Sequence, residues 1–192
     1  MFGEILVEQK MLSQDQIEQA LQAQAEERDH ALQALELGVS GHPMEHAIVA
    51  AIAVCNRLFL RTLKRRSQFS CLIQSADGLD ADLLTGQIRI TGDHPLVIAL
   101  ACLPDVSREI AGAFLSMAPE RVNNELSQDA LGELINVLMG YVVKDIFPDE
   151  ARYQPSPPAF GTPMQALMTS GKDAIAVLMA SEIGSFAIMV SR

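Results

Sequence analysis

Residues 127–144 read SQDALGELINVLMGYVVK, and the rest of the chain is organised around this stretch. Ser127 or Asp129 offers a short oxygen side chain that can cap a helix start. Leu131, Leu134, Ile135, Leu138, Tyr141 and Val142 recur at helical spacing, which predicts the core-facing side of a helix. Asp129, Glu133 and Asn136 fall at i, i+4 and i+7, so they share one polar stripe about two turns long. The stripe runs on to Gly140, where the absence of a side chain lets another surface come close. A carboxylate and a carboxamide one turn apart on a rigid helix can meet a phosphorylated partner and a water. The same three residues also describe an ordinary solvated helix face, so the reading depends on what surrounds them.

Composition bounds the answer. A chain of 192 residues holds one average domain plus an appendage, with a sizeable core. Apolar residues make up 49% and charged residues 20%, as in a compact soluble protein. A net charge of −10 and the lack of a basic stripe speak against nucleic acid as a partner. The longest apolar runs, Ala47–Cys55 and Leu96–Leu103, fall far short of the roughly 20 residues that span a bilayer. Met1 opens no signal-peptide pattern, so the expected location is the cytoplasm, without membrane insertion. Cys55, Cys71 and Cys102 are odd in number and set in apolar context, which reads as buried thiols in a reducing compartment. Of His30, His42, His46 and His94, only His42 and His46 are close in sequence. Pro43 follows His42 and leaves only His46 clearly helical, so no metal site is expected.

The N-terminal segment FGEILVEQKMLSQDQIEQALQAQAE, residues 2–26, places Ile17, Ala20, Leu21 and Gln24 at helical spacing behind Ser13 as a cap. Through Gly3, Leu6, Val7, Leu12, Ala20, Leu21 and Gln24 it resembles one repeat of the N-terminal domains of type II secretion and type IV pilus assembly ATPases. In that family two tandem copies, each usually led by an arginine, bind cyclic di-GMP. Here that arginine is missing, Lys10 stands at a usual glycine, and there is no second copy. The expected role is therefore a helical docking appendage without tight cyclic di-GMP binding. Its acidic residues, against Lys10 and Arg28 alone, make a solvated surface.

Gly38 to Pro43 is the clear linker, and it divides the chain into a helical appendage over residues 1–42 and a domain over 43–192. A helix is expected from Met44 to about Lys64, with Ile48, Ile52, Cys55, Leu58 or Phe59, and Thr62 or Leu63 inward. Arg57, Arg61, Lys64, Arg65 and Arg66 gather at its end, where cations complement the helix dipole; that structural reading suffices, and the alternative is a basic corner that helps attract an acidic partner. Strands are expected at 69–75, 86–91 and 96–103, the last almost wholly apolar and hence central. A helix from Ser107 to about Met117 precedes the organising helix. A proline-rich, stiffly extended loop over 155–163 follows it. The chain closes with strands at 174–180 and 185–190, and residues 164–169 read as a further short strand. The order is α+β: an antiparallel or mixed sheet packed by long helices.

Asp129, Glu133 and Asn136 at their spacing, then Gly140, then Pro157, Pro158 and Gly161, resemble the signature of the CheC/CheX family of chemotaxis phosphatases. The order of elements over residues 44–192 and the single signature helix match the CheX branch. The resemblance implies dephosphorylation of a phospho-aspartate on a receiver domain such as CheY. It implies catalytic roles for Glu133 and Asn136, and docking roles for Asp129, Gly140, Pro157 and Pro158. It also implies magnesium on the partner receiver with no cofactor of the chain's own, and a family habit of dimerising through the sheet. The alternative is a non-catalytic adaptor that binds a receiver domain or a secretion or pilus component.

Overall fold

Strand β3, Leu96–Cys102, is buried at every position. That is what an unbroken apolar run requires: a neighbour on each edge and a layer on each face. The computed structural model describes residues 33, 35, 38–79 and 82–192; the segment 2–26, with its expected resemblance to an ATPase repeat, lies outside the described residues. Helix α1, Glu45–Leu58, continues as a π-helical turn over Phe59–Leu63. Strand β1 is Ser67–Ile73, and β2, Leu84–Gly92, forms a hairpin with β3. Helices α2, Pro104–Leu115, and α3, Asn124–Ile146, follow. Short strands β4, Tyr153–Pro155, and β5, Ala159–Phe160, precede helix α4, Met164–Ser170. Strands β6, Ile175–Ser181, and β7, Phe186–Ser191, complete the chain.

The sheet is ordered β1-β6-β7-β3-β2-β4, with β5 also paired to β2, and every pairing is antiparallel. Helices α1, α2 and α3 cover one face; there Ile88, Ile98, Leu100 and Ile188 meet Ile48, Ile52, Ile110, Leu134 and Leu138. Phe59 stacks on Phe186 with ring centroids 4.6 Å apart. On the other face Met164 and Leu167 of α4 cover Val97, Ala99, Ala101, Ala187 and Met189. The α+β expectation and the central place of β3 agree with this architecture.

Several local expectations are corrected. Helix α3 starts at Asn124, not Ser127, because Asn123 caps it: Asn123 Oδ1 accepts from the Leu126 amide at 2.8 Å. Asparagine caps at least as well as serine, and Leu126 and Ala130 carry the apolar spacing one turn back. Ser127 is buried inside the helix. Tyr141 does not face the core; it is 54% exposed, on the margin between the buried side and the polar stripe. Helix α2 begins at Pro104, since proline is pre-set for the first helical position, and Ser107 Oγ donates back to Pro104 O at 2.7 Å. Leu115, at its end, is exposed although Ile110 and Ala111 of the same helix are buried.

Residues 164–170 are helix α4 rather than a third strand, started by the extended Pro163. The proline-rich loop is paired rather than free, because proline is tolerated on the outer side of an edge strand. Cys71 is exposed on edge strand β1, whereas Cys55 and Cys102 are buried. Burial raises both of their thiol pKa values, that of Cys102 to about 12.

Gly38 and Val39 are helical and a turn follows, with Gly41 at φ +75°. Leu35 and Val39 are buried in the same core as α1. By length and composition the helical stretch Glu45–Leu63 could cross a bilayer, unlike the shorter apolar runs; here half of it is buried as the core helix.

Candidate functional site

Helix α3 owes its rotation to its buried side. Ala130, Leu131, Leu134, Ile135, Leu138, Val142 and Val143 are all under 3% exposed, which turns the opposite side to solvent. Asp129, Glu133, Asn136 and Gly140 are all exposed there. The side chains of Asp129, Glu133 and Asn136 make no hydrogen bond or ion pair among the described residues. A Cβ placed on Gly140 would find nothing within 4 Å. The structure therefore brings the four predicted residues together as one open polar stripe. Glu125 in the first turn and Lys144 in the last complement the helix dipole and leave the stripe between them.

The flank of α3 beside strand β2 is closed by shape. Gly132 is buried, and a Cβ there would lie 3.4 Å from Pro158 Cβ and 3.7 Å from Phe160 Cε2. Gly132 is one helical turn from both Asp129 and Asn136, so the seat of Pro158 borders the stripe. Pro157, beside it, is exposed. Beneath, a Cβ on Gly86 of β2 would lie 2.6 Å from Ile135 Cδ1 and 2.8 Å from Phe160 Cε1. The bare strand position is what lets the helix and the loop settle this close.

The loop that carries both prolines is held along β2. Ile90 pairs with Pro155 and Gly86 with Phe160. The Ser156 amide donates to Arg89 O at 2.8 Å, and the Arg89 amide donates to Ser156 Oγ at 3.1 Å. Its near end is fixed at the β2–β3 turn, where Gly92 has φ +126° and a Cβ would collide with Arg152 O at 2.3 Å. Asp93 closes that corner, its amide donating to Arg152 O and its carboxylate accepting from the Arg152 amide, both at 3.0 Å.

The site thus offers one carboxamide and two carboxylates on a rigid face beside a proline ridge. Among the described residues no group of three or more His, Cys, Asp or Glu side chains is placed to hold a metal ion. His42 caps a turn, its Nδ1 accepting from the Met44 amide at 3.2 Å. Gly86, Gly132 and Phe160 join the site without a motif in the sequence to mark them. Gly132 alone carries a signal there, since a glycine inside a helix costs up to about 1 kcal/mol against alanine and so asks for a reason.

Residues 84–180 match the sequence model of the family described as chemotaxis phosphatase CheX. No curated protein matches the sequence. Among solved structures, the chemotaxis protein CheX from Vibrio vulnificus aligns with a TM-score of 0.63 and 15% identity, over 76% of this chain and 97% of that one. A CheC-like superfamily protein from Shewanella sp. PV-4 aligns at 0.60 and 15%, over 76% and 96%. A chain of the CheX–CheY–BeF3–Mg2+ complex from Borrelia burgdorferi aligns at 0.56 and 14%, over 77% and 96%. At these identities the likeness is one of fold.

Proposed function

The chain belongs to the CheX family of chemotaxis phosphatases, and we propose that it dephosphorylates a phospho-aspartate on a CheY-like receiver domain, using the outer stripe of α3. The observation that carries this reading is that Glu133 and Asn136, beside the seat of Pro158, are exposed and have no partner among the described residues. The Borrelia neighbour, a CheX–CheY complex, supports a receiver as the partner class.

An acyl phosphate is already activated, so the protein needs no nucleophile of its own. Placing a water in line with the scissile bond supplies most of the gain. The Asn136 carboxamide, donor and acceptor together, holds that water. The water oxygen bonds to phosphorus, the phosphorus–carboxylate bond breaks, and inorganic phosphate leaves with the water's oxygen while the aspartate carboxylate is regenerated on the receiver. Glu133 pairs with a lysine of the receiver and fixes the dock. Asp129 registers its edge, and the absent side chain at Gly140 leaves room for approach. Pro157 and Pro158 shape the border. The receiver brings its own magnesium ion.

The test is phosphate release from receivers charged with a small-molecule phosphodonor, with and without the protein. Accelerated release that is lost in Asn136→Ala supports the reading. A protein that binds receivers yet never speeds release is an adaptor, and a fully active Asn136→Ala removes the mechanism assigned to α3.

A further inference from the structure

The ends of α1 and α3 lie side by side, joined by an ion pair at the surface of the helical layer. Asp145 lies nine residues beyond Asn136, about 14 Å along the helix and half a turn round it toward α1, and pairs with Arg57 at 3.1 Å; Tyr141 lies between the two in rotation. One turn before Asp145 stands Tyr141, 54% exposed; three residues beyond Arg57 stands Leu60, 56% exposed. Five of the chain's fourteen lysines and arginines, Arg57, Arg61, Lys64, Arg65 and Arg66, fall within residues 57–66, a stretch without Asp or Glu. All five are exposed. The corner is held by the fold: Lys64 adopts φ 57° to end the π-helical turn, and its Nζ donates to Arg61 O at 2.7 Å. Arg61, Arg65 and Arg66 form no ion pair among the described residues. Capping the helix dipole occupies a cation in the last turn, and Arg65 and Arg66 lie beyond it.

The reacting face of a phosphorylated receiver is anionic, carrying phosphoryl oxygens and the carboxylates that a magnesium ion requires. The α3 stripe presents Asp129 and Glu133, of the same sign, on a chain of net charge −10. Long-range attraction has to come from elsewhere on the same layer. With a receiver as the partner of α3, the premise on which this rests, we infer that the basic end of α1 is a second part of the docking surface. Tyr141 is the apolar contact between it and the stripe. The corner speeds encounter with acidic receivers and selects them over neutral ones. Tyrosine and arginine are the side chains that most often carry interface energy, and charges at an interface rim act mainly on the association rate. A domain-sized partner touches this corner and the stripe alone, whereas a membrane plane or a long polyanion also meets the acidic remainder of the chain.

The experiment measures binding to beryllofluoride-loaded, magnesium-bound CheY-type receivers of the source organism by stopped flow, alongside phosphate release. The triple substitution Arg61→Glu, Arg65→Glu, Arg66→Glu lowers the association rate about tenfold or more at low salt. Raising salt from about 50 to about 500 mM removes most of that difference, because exposed charges are screened beyond a few ångströms at high ionic strength. Tyr141→Ala raises the dissociation rate about tenfold. In both variants the receiver concentration for half-maximal turnover rises while the saturated rate stays within about twofold. If the unmodified protein dephosphorylates a receiver and association ignores both the substitutions and salt, the inference is overturned and the phosphatase reading stands. Salt-dependent binding without accelerated release supports the surface and removes the phosphatase. No binding to any receiver overturns both. If phosphatidylglycerol vesicles bind the unmodified protein but not the triple variant, and receiver association is unchanged, the corner is a membrane contact and the inference fails.

Discussion

The side of helix α3 that meets β2 and the outer stripe that meets solvent are built on opposite terms. Toward β2, glycines at positions 86 and 132 draw the helix, Pro158 and Phe160 into contact. On the outer stripe, Asp129, Glu133 and Asn136 have no partner among the described residues, and space opens over Gly140. The closed flank gives the helix a fixed position; the open stripe leaves its polar groups free to engage something else. Stability and activity should therefore separate between the two. Asn136→Ala tests this with the largest expected effect: a rate loss of two to three orders of magnitude, about 3–4 kcal/mol of barrier. Its thermal midpoint should barely move, since an exposed substitution usually shifts stability by less than about 0.5 kcal/mol. A loss of activity accompanied by a drop of many degrees would erase the distinction.

On the closed flank the expectation reverses. Gly86→Ala puts a methyl within 2.6 Å of Ile135 Cδ1 and 2.8 Å of Phe160 Cε1. Overpacking of that kind costs about 1–3 kcal/mol, or several degrees in thermal midpoint at this chain length. Residual activity should follow the folded fraction, as read by calorimetry and phosphate release on the same samples. A variant as stable as the parent would show that the flank yields more readily than its spacing implies. Between these extremes, Glu133→Ala should weaken receiver association about tenfold without unfolding the domain, because a charge pair across an interface is lost. Isothermal titration against the loaded receiver measures it.

The parts of this contrast are unequally legible in sequence. The open stripe is readable because helical periodicity fixes which residues share a side, and the polar set stands out against Leu131, Leu134, Ile135 and Leu138. The closed flank is not, because the contacts of Gly86 and Gly132 with Phe160 and Pro158 depend on where β5 pairs, and no local pattern encodes that register. Tyr141 is misplaced by periodicity for a related reason. A residue at the margin of the apolar side is assigned by its hydrophobicity, while an amphipathic ring sits readily with its body half-covered and its hydroxyl in water. Pro163 and the short apolar run after it fit a strand as well as a helix, and only the unfilled face over Val97 and Ala99 settles residues 164–170 as α4. The start of α3 escapes a sequence reading because Asn123 and Ser127 are comparable caps one turn apart, and the choice follows from the burial of Ser127.

The smallest expected effect sets two glycines of the same helix against each other. Alanine at Gly140 meets nothing within 4 Å, so it should gain most of the helix-propensity difference, about 0.8–1 kcal/mol, and raise the thermal midpoint by a few degrees. Alanine at Gly132 gains the same propensity but must sit 3.4 Å from Pro158 Cβ, an ordinary contact distance. It should therefore be tolerated, with a net change within about 0.5 kcal/mol once the loop has adjusted. Function should rank them the other way. The new methyl at Gly140 stands on the open stripe, where the receiver has to approach, and should weaken binding even as the fold gains; the one at Gly132 is hidden under Pro158 and should leave binding nearly unchanged. Calorimetry and titration on the two variants decide it. If Gly140→Ala both stabilises the domain and binds the loaded receiver as well as the parent, Gly140 has no part in docking and the stripe ends at Asn136.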